Sequence, residues 1–114
     1  MDAAATELAD RVRALLMAES GLEEKRMFGT RAFLLDGRIL VGTRKEGVLL
    51  VRVIEERGTE LLTEPGVSVA TMGAKTMGPS WLDIEPAVIE TDGALMFWID
   101  AARESAATQI TGSA

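Results

Sequence analysis

The chain has 114 residues, 47% of them apolar and 26% charged, with a formal net charge of −6; this suits one folded domain with a single core and is too apolar for disorder. It contains no cysteine, no histidine and no tyrosine. Disulfides and thiolate metal sites are thereby excluded, and the commonest general base, the commonest transition-metal ligand and every thiol nucleophile are missing. The composition argues against an enzyme, and it supports no catalytic, cofactor-binding or metal-binding assignment.

The N-terminus, MDAAATELAD, carries Asp2, Glu7 and Asp10 where a signal peptide needs positive charge and then an apolar run. No stretch approaches the roughly 18 apolar residues that span a bilayer. A cytoplasmic location without membrane contact is the expectation. Residues 3–19 read as an amphipathic helix, with Leu8, Val12, Leu15 and Leu16 on one stripe. Ser20-Gly21 supplies the stop.

Strand chemistry follows. Lys25 to Phe28 reads as a leading strand. Phe33-Leu34-Leu35 and Ile39-Leu40-Val41 flank Asp36-Gly37, the signature of a two-residue hairpin turn in which both positions take positive φ. Residues 48–53 follow the polar turn Arg44-Lys45-Glu46-Gly47. Residues 54–64 form a short helix closed by Pro65-Gly66, weakened by Gly58 by about 1 kcal/mol relative to alanine. Val67-Ser68-Val69, the loop MGAKTMGPS and the strand Trp81–Ile84 come next. Thr91 or Asp92 caps a last helix whose buried face carries Leu95, Trp98, Ile99, Ala102 and Ala106.

The order α-β-β-β-(β)-α-β-β-α describes an α+β domain: an antiparallel sheet of about five to six strands with three helices in two layers. Residues 1–114 form one domain, with an ordered core over about 7–107 and a flexible tail over 108–114.

The strands do not alternate as a sheet with one wet face should. In residues 48–53, Val48 and Leu50 point to one face while Leu49, Val51 and Val53 point to the other. Residues 32–35 and 39–41 are apolar on both faces too. Helices on both sides would explain this; a second copy of the chain explains it better, and a homodimer is expected.

Several motifs dissolve on inspection. Gly73 and Gly78 have the spacing of a phosphate-binding loop, but Gly78 is followed by Pro79-Ser80 instead of Lys-Ser/Thr. The pairs Glu23-Glu24 and Glu55-Glu56 are adjacent residues that do not face one another. The six methionines suit either a core or an adaptable binding surface, and core filling is the simpler reading. Trp81 and Trp98 read as core residues packing strand against final helix, with an interface anchor as the alternative.

Charge is unevenly placed. Residues 25–57 hold eight of the twelve cations and only four acids, hence +4, whereas the remainder carries −10. Lys25, Arg26, Arg31, Arg38, Arg44 and Lys45 form a candidate interaction surface, with Arg31 and Arg38 expected beside the Asp36-Gly37 turn. Phosphate or an acidic partner would suit it. Protection of sheet edges is the structural reading, and it leads, because the chain has only five aromatics and an acidic balance.

The runs EEKRMFGTRAFLLDGRILVG, GVLLVRV and MGAKTMGPSWLDIEP, followed by a helix, resemble the N-terminal domain family of the bacterial competence regulator TfoX, also called Sxy. The resemblance covers about residues 7–107. Its most specific element is Arg26-Met27-Phe28-Gly29, similar to the family's RMFGG signature, with Trp81 in support; Thr30 replaces the second glycine. It implies a fold similar to type III secretion chaperones, frequent dimerisation and no catalytic residues. Full-length regulators of the family carry a helical, DNA-binding-like C-terminal domain, and the sequence reads as a standalone N-terminal-type domain. The implied function is a non-enzymatic protein-interaction module in transcription- or competence-related regulation. The alternative is a nucleic-acid-associated regulator that uses the basic segment 25–57.

Overall fold

The computed structural model describes residues 3–27 and 30–112. Helix α1 (Ala3–Leu16) precedes four strands, β1 (Leu22–Met27), β2 (Thr30–Leu35), β3 (Arg38–Thr43) and β4 (Leu49–Arg52). Helix α2 (Glu55–Leu61) leads to β5 (Val67–Val69), the short pair β6 (Thr71–Met72) and β7 (Lys75–Thr76), and β8 (Trp81–Ile84). Helix α3 (Asp92–Gly112) continues past residue 107, the expected end of the ordered core; residues 113 and 114 of the expected tail lie outside the described residues. One antiparallel sheet runs β1-β2-β3-β4-β8-β5; β6 and β7 pair separately. This is the α+β order expected, with the loop MGAKTMGPS resolved into a small hairpin.

Local chemistry accounts for the elements. α1 buries Leu8, Ala9, Val12 and Leu16 and stops short of the predicted 19, its terminal turn closed by Glu19 N–H donating to the Leu16 carbonyl. Asp36 and Gly37 have φ of 51° and 82°, the geometry that Asp-Gly hairpins favour. The Thr91 hydroxyl accepts from the Ala94 N–H at 3.1 Å and caps α3.

Gly58 has a reason that propensity conceals. A Cβ there would sit 1.7 Å from the Pro79 carbonyl oxygen, so only glycine lets α2 approach the segment before β8. Gly58 is buried, and Leu61 follows it into the core.

Register separates the two faces of the sheet, because directly paired residues share a face. Phe33, Val41, Val51 and Leu82 are paired in one row across β2, β3, β4 and β8. All four are fully buried and join Val12, Leu16, Leu95, Trp98 and Ile99 in one core. α1 and α3 lie on this face, both packed on β3.

A bulge refines the pattern. Phe33 pairs with Val41 and Leu34 with Ile39, which leaves Leu40 unpaired on β3. Leu40 and Val41 therefore both enter the helix-covered core, and Ile39 turns to the other face.

That other face holds the row Lys25, Ala32, Gly42, Leu50, Asp83. Ala32, Leu34 and Leu50 are only 4%, 6% and 3% exposed, yet none belongs to the helix-side core. The two-sided apolar strands are real, and one chain covers much of the second face itself. Trp81 lies on this face and does not join the core that holds Trp98. The expected packing of strand tryptophan on final helix is thereby corrected: Trp81 alternates with the buried Leu82 and so points away from α3.

Candidate functional site

The open face of the sheet carries a groove of about 370 Å³, lined by Met27, Thr30, Ala32, Ile39, Leu50, Met77 and Trp81. Buried Ala32 and Leu50 form its floor, and half-buried Met27, Ile39, Met77 and Trp81 form its sides. Five separate segments supply these residues: β1, β2, β3, β4 and the stretch from Met77 into β8. The floor is deep because its central residues are small. Gly42 pairs with both Ala32 and Leu50, and a Cβ on it would meet Thr30 Cγ2 at 2.7 Å.

The hairpin β6–β7 bounds one side and is pinned there by Arg44. Its Nη1 donates to both Asp83 carboxylate oxygens at 2.8 Å, and its Nη2 donates to the Thr71 carbonyl at 2.8 Å. Met77 N–H donates to the Ala70 carbonyl at 2.8 Å, which holds the return strand against the sheet. Arg52 stacks on Trp81, its guanidinium carbon 5.2 Å from the ring centroid, an attraction of cation and π-face.

Among the described residues no titratable side chain lines the groove. Among the described residues no group of three or more acids is placed to hold a metal ion. The arrangement presents apolar surface, including two flexible thioethers and one indole.

The six cations singled out in the sequence do not form one surface. Arg26 faces Arg31 directly across β1 and β2. Arg31 pairs with Thr43, so it sits at the opposite end of the hairpin from Asp36-Gly37, contrary to the expectation; β2 runs six residues back from the turn. Arg38 does begin β3 beside that turn. Arg31 Nη1 donates to Glu24 at 3.3 Å, and Arg44 is engaged as described. Among the described residues Lys25, Arg26 and Lys45 are exposed and have no ion pair.

Glu24 belongs to the helix-covered side. It accepts from Arg13 Nε at 2.5 Å and Arg13 Nη2 at 3.0 Å, tying α1 to β1. Arg13's hydrogen bonds hold the Glu24 carboxyl below its ordinary value, and the same carboxylate raises the Arg13 guanidinium.

Of the signature residues, Met27 and Trp81 line the groove, Arg26 is exposed on the first strand, and Phe28 and Gly29 lie outside the described residues. For Ala32, Ile39 and Leu50 the legible signal is the failure of alternation in residues 32–35, 39–41 and 48–53. Met27 and Met77 line the groove, which favours the adaptable-surface reading of these methionines over core filling.

The family model of the TfoX N-terminal domain matches residues 14–106. The chain belongs to the TfoX N-terminal domain family. The matched span runs from the last turn of α1 into α3 and so takes in every strand of the sheet. Neither the curated proteins nor the solved structures contain a significant match to the chain. No helix among the described residues is long and apolar enough to cross a membrane.

Proposed function

We propose that this TfoX N-terminal domain is a non-enzymatic, cytoplasmic protein-interaction module of the competence- and transcription-regulating type, and that the groove on the open sheet face is its working surface. The observation that carries the reading is the groove's lining: among the described residues, apolar side chains and one threonine, without a titratable group. The absence of histidine, cysteine and tyrosine supports the non-enzymatic part. Affinity capture from a bacterial lysate, with nuclease present, tests it. A protein held by the native chain and lost with Ile39→Glu supports the groove; an identical catch by both chains sinks it. Ile39 is half-buried on the groove's side, so the variant tests the surface without opening the core.

The homodimer is a separate proposal. The strands give it less support than the sequence did, since Ala32, Leu34 and Leu50 are covered within one chain. A second copy would still cover the groove's mouth. Light scattering at about tens of micromolar decides it, and a strict monomer removes it.

Nucleic-acid binding is the second reading, favoured by the exposed Lys25, Arg26 and Lys45. It requires binding that weakens steeply with salt and is lost when those three are neutralised. Salt-insensitive binding, or none, excludes it.

A further inference from the structure

Cations stand around the groove's mouth. Lys25 pairs with Ala32 and precedes Met27 by two residues on β1, so alternation places it on the groove's side of the sheet. Arg52 lies over Trp81. Lys75 is exposed on the hairpin, two residues before Met77. Among the described residues none of these three has an ion pair. Arg44 is neutralised by Asp83 at 2.8 Å, which leaves Glu23, one further step along β1, as the acid on this face of the strand. The mouth is thus positive on a chain whose net charge is −6.

The geometry points to a partner segment that inserts large apolar side chains into the groove and carries carboxylates beside them. This rests on the groove being the interaction surface. The small floor at Ala32 and Gly42 gives depth for a bulky side chain, and Met27 and Met77 adapt to its outline. Carboxylates flanking such an anchor meet Lys25, Arg52 and Lys75, and charge complementarity of this kind selects partners and speeds their encounter. A second copy laid flat on this face gains less. The floor is already buried, whereas a specific interface removes about 800 Å² per partner.

Trp98 is 3% exposed in the core, so Trp98→Phe leaves Trp81 as the sole indole and a reporter of the groove. The probes are three peptides that share one pair of leucine anchors and differ only in their flanks: all-glutamate, all-glutamine or all-lysine. The glutamate peptide is expected to shift Trp81 emission and to bind about tenfold more tightly than the lysine peptide at low salt. The double variant Lys25→Glu/Arg52→Glu, checked for folding by circular dichroism, is expected to lose that preference. Equal binding of all three peptides overturns the acidic segment and leaves the groove reading standing. Binding by none, while Ile39→Glu still loses a captured protein, overturns the segment's chemistry alone. Binding by none with no such loss ends both. A homodimer that Ile39→Glu splits makes a second copy the occupant and likewise overturns the proposal.

Discussion

Arg44 reaches Asp83 with one guanidinium nitrogen 2.8 Å from both carboxylate oxygens. Arg44 directly follows β3 and Asp83 lies on β8, with β4 between those strands in the sheet. The same guanidinium holds the Thr71 carbonyl, so one side chain joins two strands of the main sheet and the hairpin that bounds the groove.

Arg44→Met should therefore cost about 2 kcal/mol, the loss of charge-assisted hydrogen bonds with Asp83 left unpaired and about a fifth exposed. Chemical denaturation measures that cost. Hydrogen exchange at residues 71–77 should accelerate more than exchange in β2 or β3, because those strands keep their ladder pairing while the hairpin loses the Arg44 bond to Thr71. Uniform acceleration would mean that Arg44 serves the sheet and not the hairpin.

Gly58→Ala separates two opposing effects. In an open helix the change stabilises by just under about 1 kcal/mol. Here the added methyl meets the Pro79 carbonyl, and the expected outcome is a loss of about 2 kcal/mol by overpacking. A thermal melt gives the sign directly. A more stable variant would show that α2 moves aside freely.

Acid stability should report the clasp between α1 and β1. Glu24 is depressed in the fold by Arg13's hydrogen bonds, then by Arg13 and Arg31 as charges, against desolvation. A carboxyl depressed by folding contributes stability that is complete above its unfolded value, about 4.5, and is lost as pH falls through the lower folded value. Glu24→Gln should flatten the acid limb of the stability profile below pH 4.5 and leave its shape unchanged near neutrality. An unchanged acid limb would place the acid sensitivity elsewhere.

How far the sequence speaks depends on whether a feature is local. The Asp36-Gly37 turn, the stripe on α1 and the Thr91 cap are set by neighbours in the chain, and each is readable from spacing. Two-sided apolarity in residues 48–53 was also readable, and it marks Leu50 on the groove's floor. The bulge at Leu40 was not: it depends on the pairing of Phe33 with Val41 across two strands, and it turns Ile39 outward. Gly58 read as a weak helix position because the Pro79 carbonyl is distant in sequence. Trp81 read as core because a large indole usually is; its neighbour Leu82 takes the core side of β8 instead. The basic segment read as a patch because charge was counted along the chain. In space, Arg31 and Arg44 are spent on Glu24 and Asp83.

The groove as a working surface is tested most directly by side-chain NMR with the captured partner protein. Methyl and indole signals, unlike strand amides, report one face of the sheet. The account predicts that adding the partner shifts the signals of Ala32, Ile39, Leu50 and Trp81 and leaves those of Leu16, Val12 and Ile99 in place. Shifts confined to the helix-covered face, or to Lys45 and the turn around it, would contradict it.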